Sequence, residues 1–263
     1  MTRATHLRPR AWLHSLASRL LYFFAGLFSD VDVEGLEHLP RKGGAVLIAN
    51  HRSYFDAIAL AAALAHSKRD VMVLAKSELF ATRWKAWLLT RVGTIPVYRG
   101  TQRASESLNE AVNSLRHGEV VALFPEGTIP ADGRLMAFKT GAARIALSAG
   151  VPVIPVALVG TDHVIASNLA QVKRRLLRNA LAPHTITVKF GAPIHLTGDA
   201  EDHDTVHAAT ETLRTSVNDL LDTIEGDTTP MRITGKELAL GVLFAVPVLG
   251  GIAHTIWRTR HKK

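Results

Sequence analysis

Residues 47–62 read LIANHRSYFDAIALAA, in which an apolar run is followed by a polar turn and a second apolar stretch. The run Ala45–Ala49 comes after two glycines and is typical of a buried strand. The stretch that begins at Asp56 has the composition of a helix with an acidic residue in its first turn. The segment therefore predicts a strand, a turn and a helix, which is the repeating unit of an α/β domain.

His51 and Asp56 stand five positions apart within this segment. Each residue of a helix turns the chain by about 100°, so on one helix these two side chains would point about 140° apart. They meet only if the chain bends between them. A carboxylate at the positive end of the helix dipole stays ionised and holds one imidazole nitrogen as N–H, which leaves the other as a base. In the alternative interpretation, His51 is a turn residue and Asp56 only caps the helix.

The central part of the chain alternates strand-like with helix-like segments. This order predicts an α/β domain over residues 29–225, with a mostly parallel central sheet flanked by helices. In such sheets, ligands bind at the carboxyl ends of the strands. The predicted strands after the first are 71–75, 119–124, 153–159 and 185–190, and the predicted helices are 56–65, 105–116, 139–149 and 204–221.

Candidate binding residues follow the predicted strands. Lys76 comes directly after 71–75, and Glu126 lies in the sequence FPEGT, where it is placed to bind a hydroxyl or a cation. Gly127 lets the backbone approach a ligand closely. Arg99 lies in the turn-rich sequence GTIPVYRG, where a guanidinium binds a phosphate through two hydrogen bonds. Taken singly, each of the three charged residues is also explained as a turn or surface residue.

The composition restricts the classes of partner and of chemistry. The 263 residues carry a net charge of +8, which favours an anionic partner such as nucleic acid or a phospholipid surface. No nucleic-acid-binding motif accompanies the basic cluster at 173–175, so a membrane surface is the expected partner and nucleic acid is not. The absence of cysteine excludes disulfides, cysteine zinc sites and a cysteine nucleophile.

Two apolar terminal segments also favour a membrane. Residues 1–28 are predicted to form an amphipathic docking helix, with a signal peptide or a core-packing helix as alternatives. Residues 226–263 contain an uncharged stretch, 238–257, that would rise about 30 Å as a helix. Basic residues on both sides of it and Pro247 within it favour a hairpin or interfacial anchor at the cytoplasmic face of the cytoplasmic membrane, with a single span as the alternative.

Four segments, NHRSYFD, GTIPVYRG, FPEGT and GVPVIPVAL, follow one another along the chain. Together they resemble the four motif blocks of the glycerophospholipid acyltransferase family, over about residues 31–193. The resemblance implies transfer of a fatty acyl group from acyl-CoA or acyl-carrier protein to the free hydroxyl of 1-acyl-glycerol-3-phosphate. It also implies that His51 and Asp56, the HX4D motif, are the catalytic pair. Residues in the implied acceptor site are Lys76, Arg99, Glu126, Gly127 and Thr128.

Ile129 departs from the family pattern, because FPEGT is commonly followed by arginine. Arg134, Lys139 and Arg144 follow nearby and are either substitutes for that arginine or solvated residues. The departure leaves open another lysophospholipid or polyol as the acceptor. A non-catalytic membrane lipid-binding protein is a third hypothesis, which the histidine–aspartate pair disfavours because binding alone needs no base.

The implied chemistry starts from a thioester that is already activated. What remains is to deprotonate the acceptor hydroxyl and to stabilise the tetrahedral oxyanion, so neither a metal nor a cofactor is expected. Direct transfer is the simplest route, since the chain has no cysteine and no G-x-S-x-G sequence. His203 and His207 have a zinc-compatible spacing without the glutamate of H-E-x-x-H, and a solvated helix face is the preferred interpretation.

Overall fold

The computed structural model describes residues 29–65, 67, 69, 71–91, 93–98, 103–164, 184–224 and 231–233. Within these residues, eight strands form one sheet in the order β4-β3-β5-β2-β6-β7-β1-β8. The strands are β1 (Ser29–Glu34), β2 (Ala45–Ala49), β3 (Val71–Lys76), β4 (Thr94–Val97), β5 (Val120–Leu123), β6 (Val153–Val159), β7 (His184–Phe190) and β8 (Met231–Ile233). The helices are α1 (Asp56–Leu64), α2 (Arg83–Arg91), α3 (Ala104–Arg116), α4 (Gly141–Ala149), α5 (Thr161–Val164) and α6 (His203–Asp222).

The sheet is mostly parallel, as predicted. Strands β4, β3, β5, β2 and β6 run in one direction, and their carboxyl ends share one edge of the sheet. β7 is antiparallel to β6, β1 is parallel to β7, and β8 is antiparallel to β1. The amino end of β1 and the carboxyl end of β8 both lie at the edge formed by the carboxyl ends of the five parallel strands.

β2 shows why an uninterrupted apolar run belongs at the centre of such a sheet. All five of its residues are buried, and successive side chains point to opposite faces. Ala45, Leu47 and Ala49 pack in a cluster with α1. Val46 and Ile48 pack on the other face, in a cluster that includes residues of α3, α4 and α6. Helices therefore cover both faces of the sheet.

The connections that leave β2 and β5 diverge. After β2 the chain passes into α1 on one face, and after β5 it passes through a long loop into α4 on the other. β2 and β5 are neighbours, so the two loops separate above a shared sheet edge. A crevice between diverging loops is where open α/β sheets bind their ligands.

Several elements differ from the prediction. The sequence 93–100 was expected to be a turn-rich loop, but Thr94–Val97 forms strand β4 at the edge of the sheet. Its proline, Pro96, is tolerated because an edge strand needs hydrogen bonds on one side only. α4 begins at Gly141 and not at residue 139, whereas β2 and β6 have the predicted bounds.

The predicted terminal docking segments, 1–28 and 226–263, lie outside the described residues except for 231–233. Those three residues pair with β1 as strand β8, so this part of the predicted anchor belongs to the sheet. Of the helices that the structure describes, none has both the length and the hydrophobicity needed to cross a membrane.

At the opposite, amino-terminal edge, Arg69 ties three loops together. Its guanidinium donates to the carbonyl oxygens of Pro40 and Gly43, which precede β2. It also donates to the carbonyl oxygen of Gly118, which precedes β5, at 2.9 Å. The loops that precede the central strands β2 and β5 are therefore held together by one guanidinium group.

Gly44 provides a test of the packing between β2 and α3. A Cβ atom at this position would lie 2.2 Å from the backbone oxygen of Leu115, closer than any atom tolerates. Gly44→Ala should therefore lower the free energy of unfolding by about 1–3 kcal/mol, as overpacked cores do. The matched control is Gly141→Ala, because a Cβ at Gly141 meets its nearest neighbour at 3.8 Å. In thermal unfolding, the control should be neutral or stabilising, and equal melting of both variants would contradict the packing described here.

Candidate active site

His51 and Asp56 meet at the carboxyl edge of the sheet. His51 lies two residues beyond β2, and Asp56 is the first residue of α1, where it is fully buried. The His51 Nδ1 atom is 2.7 Å from Asp56 Oδ2. The predicted bend between the two residues is confirmed. A carboxylate bonded to Nδ1 keeps the proton on that nitrogen and leaves Nε2 as the basic atom.

The same carboxylate oxygen shapes the turn between the two residues. Asp56 Oδ2 also accepts the backbone N–H groups of Arg52 at 2.6 Å and Ser53 at 2.8 Å. The Ser53 hydroxyl is buried and accepts the N–H of Phe55 at 3.0 Å. Ser53 is therefore a turn residue, and the imidazole is held by a turn that its own partner organises.

The imidazole is held on a second side by an aromatic ring. The rings of His51 and Phe124 stack, with centroids 4.4 Å apart and planes inclined by 21°. Phe124 follows β5, the neighbour of β2. The His51 side chain keeps 20% of its surface exposed, while that of Asp56 keeps none. This arrangement presents a partly accessible base on a buried support.

Glu126 supports the backbone of His51. Its Oε1 accepts the His51 N–H at 2.7 Å, and its Oε2 accepts the N–H of Met136 at 3.0 Å. The sequence suggested that this carboxylate binds a hydroxyl or a cation, and the structure adds that both of its oxygens already accept backbone hydrogen bonds. Burial raises the pKa of the Glu126 carboxyl above its ordinary value, while the two N–H groups oppose that shift.

Glu126 is positioned by a turn that ends at Gly127. The N–H of Gly127 donates to the Phe124 carbonyl at 3.0 Å across Pro125 and Glu126. Its φ of 76° lies in the left-handed region, where glycine is favoured. The Lys139 N–H then donates to the Pro125 carbonyl at 2.9 Å, which closes the long loop between β5 and α4.

Asn50 is a site residue that the sequence reasoning missed. Its side-chain Nδ2 donates to the Leu158 carbonyl at 2.9 Å, and its Oδ1 accepts the Leu158 N–H at 2.7 Å. The side chain thus joins the end of β2 to β6 at the point where the chain leaves the sheet. In the sequence, the only indication of this role is that an asparagine directly precedes the histidine. The partner of Asn50 lies 108 residues away.

The remaining predicted residues lie around this centre with different exposure. Lys76 is exposed at the end of β3, and Thr128 is exposed just after the Glu126 turn. Arg99 lies outside the described residues. Ile129 is half-buried. The sequence assigned Arg134 no definite role, yet it lines a shallow surface cleft together with His51, Arg52 and Glu126.

Two other groups considered from the sequence lie elsewhere. Arg144 donates to the Ala200 carbonyl at 3.0 Å and lies 3.9 Å from Glu201, away from His51. His203 and His207 are exposed on α6 with ring centroids 6.3 Å apart. Among the residues described, His, Asp and Glu side chains form no group of three or more that is arranged to hold a metal.

The segment that carries these residues resembles a known protein family. Residues 30–159 match the model of the family described as Acyltransferase. That segment contains His51, Asp56, Glu126 and Arg134. Residues 30–159 belong to the acyltransferase family. The matched part of this acyltransferase domain extends from β1 to β6, so it includes all five parallel strands.

Curated relatives of the acyltransferase domain are named 1-acyl-sn-glycerol-3-phosphate acyltransferases. The chloroplastic relative from Arabidopsis thaliana is 33% identical over 140 residues, which are 52% of this chain and 38% of the relative. The relative from Bacillus subtilis (strain 168) is 28% identical over 148 residues, which are 56% of this chain and 72% of the relative. The match therefore spans less than half of the plant protein.

A solved structure extends the similarity beyond the matched segment. The crystal structure of PlsC from Thermotoga maritima, a 1-acyl-sn-glycerophosphate (LPA) acyltransferase, superposes with a TM-score of 0.59 at 25% identity. The likeness covers 85% of this chain and 86% of that one. The mostly parallel sheet with helices on both faces is thus an acyltransferase fold.

The two bonds of Glu126 generate a stability prediction. Glutamine has one acceptor oxygen and one donor NH₂ group, so Glu126→Gln leaves one of the two backbone N–H groups facing a donor. We expect the free energy of unfolding to fall by about 1–3 kcal/mol. Glu119→Gln, just before the start of β5, is the control and should change it by less than about 0.5 kcal/mol. Urea denaturation of both variants measures the difference, and equal stability would mean that these bonds do not hold the loop.

Proposed function

We propose that the chain is a 1-acyl-sn-glycerol-3-phosphate acyltransferase. In this proposal it moves a fatty acyl group from the thioester of acyl-CoA or acyl-carrier protein to the free hydroxyl of the acceptor, and the product is phosphatidic acid. The observation that carries the proposal is the 2.7 Å contact between His51 Nδ1 and Asp56 Oδ2 at the carboxyl edge of the sheet. The names of the relatives support the choice of acceptor.

In the proposed reaction, one proton moves from the acceptor hydroxyl to the leaving thiolate by way of His51. His51 Nε2 takes the proton of the acceptor hydroxyl while that oxygen attacks the thioester carbonyl carbon and the new C–O bond forms. The imidazolium is stabilised by Asp56. When the tetrahedral intermediate collapses, the C–S bond breaks and the leaving thiolate receives the proton from His51. The products are an ester and a free thiol, and His51 returns to its neutral form.

Direct transfer without an acyl-enzyme fits the side chains near the base. Cysteine is absent from the sequence. The Ser53 hydroxyl is buried and bonded within the turn, and its Oγ accepts the Phe55 N–H. The acceptor hydroxyl itself is therefore the proposed nucleophile. The acyl donor is a substrate, and the proposed step uses no further cofactor.

Arg134 is the residue that we propose for the acceptor phosphate, in place of the family arginine that Ile129 replaces. It lines the same cleft as His51, whereas Arg144 is engaged with Ala200 and Glu201. Lys76 at the end of β3 and Arg99 remain proposed as further positive charges of the acceptor site. A guanidinium suits a phosphate because it donates two parallel hydrogen bonds.

Substitution of the base tests the reaction. His51→Ala should reduce acyl transfer by about 10²- to 10⁴-fold, the usual contribution of a general base. Asp56→Asn should also lower turnover strongly, because the imidazolium loses its ionised partner. Release of free thiol from oleoyl-CoA in the presence of acceptor measures both.

His117→Ala is the matched control, since His117 is exposed at the opposite edge of the sheet. Its activity should equal that of the wild type. A His51→Ala protein that keeps its fold and its activity would overturn the mechanism. A wild-type protein that binds lysophospholipid but releases no thiol would support the alternative, a lipid-binding protein without turnover.

Substitution of Arg134 tests the acceptor. Arg134→Gln should raise the KM for 1-acyl-glycerol-3-phosphate by about 10- to 100-fold, as expected for a charge-assisted hydrogen bond, with little change in the KM for the donor. Arg144→Gln should leave both values unchanged. The wild type is also assayed with an uncharged monoacylglycerol. If that acceptor is preferred, the phosphate assignment is wrong and a different acceptor is the substrate.

A further inference from the structure

The Phe124 ring lies against the imidazole of His51, with ring centroids 4.4 Å apart and planes inclined by 21°. We propose that the face of this ring stabilises the imidazolium that His51 becomes during the reaction, so that Phe124 acts on acyl transfer through His51. The inference rests on the proposed function, in which His51 takes the proton of the acceptor hydroxyl and returns it to the leaving thiolate.

The inclination of the two planes decides which part of the phenyl ring meets the imidazole. Rings inclined by 21° are stacked, whereas the rings of an edge-to-face pair are nearly perpendicular. The face of a phenyl ring carries partial negative charge, and its edge carries partial positive charge. A cation over the face within about 6 Å of the centroid is attracted to the ring. The imidazole of His51 lies inside that distance, so its protonated form is held more strongly than its neutral form.

Phe124 and Asp56 support the imidazole from different directions. The 2.7 Å bond between Nδ1 and Asp56 Oδ2 lies near the plane of the imidazole, because ring N–H groups point outward in that plane. Phe124 covers a face of the imidazole, so Nε2 stays available for the proton. Asp56 Oδ2 is also shared with two backbone N–H groups, which weakens its bond to the imidazolium. The ring face therefore adds support that the carboxylate alone does not supply.

The charges around His51 favour an uncharged group in this role. Arg52 and Arg134 line the same cleft, and their positive charges oppose a further positive charge on the imidazole. A second carboxylate would offset that repulsion, but it would also repel the phosphate of the proposed acceptor. A ring face attracts the imidazolium without adding a net charge. The His51 side chain is only 20% exposed, and a cation–π contact strengthens as water is removed.

The Phe124 ring is fixed before the reaction begins. Leu123, the residue before it, ends β5 and pairs with Ile48 of β2. The Phe124 carbonyl accepts the N–H of Gly127 at 3.0 Å, and the side chain packs against the apolar cluster that includes residues of β2 and α1. Groups that need no rearrangement when a charge forms stabilise that charge most effectively. Phe124 meets this condition.

Fluorination of the ring tests the proposal, because fluorine withdraws charge from the face and changes the shape of the side chain little. Mono-, di- and trifluorophenylalanine are incorporated at position 124 of the full chain by suppression of an amber codon. Thiol release from oleoyl-CoA is measured in a single turnover, with enzyme and 1-acyl-glycerol-3-phosphate in excess. The logarithm of the rate should fall in step with the number of fluorines, by about 2- to 30-fold in total. In the steady state, the KM for oleoyl-CoA should stay the same.

Phe190 provides the matched control. It is 1% exposed and lies in β7, which β6 separates from β2. The same three fluorinated residues at position 190 should leave the rate of thiol release unchanged. Phe124→Leu keeps an apolar side chain without a ring face, so its rate should fall at least as far as that of the trifluorinated protein. If Phe124→Leu does not fold, the fluorinated proteins, which keep the ring, still decide the question.

Equal rates across the fluorinated series at position 124 would overturn the inference, since the ring would then act by packing alone. An equal fall at positions 124 and 190 would also overturn it, because fluorination would then act through the fold. Both results leave the proposed function intact, since thiol is still released. A wild-type chain that releases no thiol would instead overturn the proposed function, and the role of Phe124 with it.

Discussion

One oxygen atom, Asp56 Oδ2, organises the centre of this domain. It accepts the imidazole Nδ1 and two backbone N–H groups, all within 2.8 Å. Burying a carboxylate is costly unless hydrogen bonds compensate for lost water. Here the compensating donors come from the residues that must be positioned, so the hydrogen bonds that offset the burial of Oδ2 also form the site. The turn, the start of α1 and the orientation of His51 depend on the same group.

Two further side chains attach this centre to the sheet. Asn50 joins the end of β2 to β6 through both polar atoms of its amide. Glu126 joins the backbone of His51 to the loop after β5. β2 is thus held from both neighbouring strands at the residue where it ends. Positioning of a base is more precise when the groups that support it are fixed to rigid elements, and here the supports lie at or just beyond the ends of three adjacent strands.

Short stretches of sequence predicted the parts of the fold and of the site that depend only on residues close to one another in the chain. The bounds of β2 follow from its apolar run after two glycines, and the meeting of His51 with Asp56 follows from the bend between them. The roles of Asn50 and Glu126 in holding the backbone were not predictable in this way, because their partners lie 108 and 75 residues away. β4 was missed because proline, here Pro96, is a poor strand residue. β4 lies at the edge of the sheet, where a proline is tolerated.

The pairing of β1 with both β7 and β8 limits how the protein can be shortened. β1 is an interior strand although it comes first among the described elements, so a version that begins after Ser29 would remove a strand from between two others. β8 is the outermost strand, and its removal would leave the backbone groups of β1 unpaired along one side. A shortened protein for crystallisation is therefore best cut before Ser29 and after Ile233, which keeps the sheet intact while removing the apolar stretches on either side.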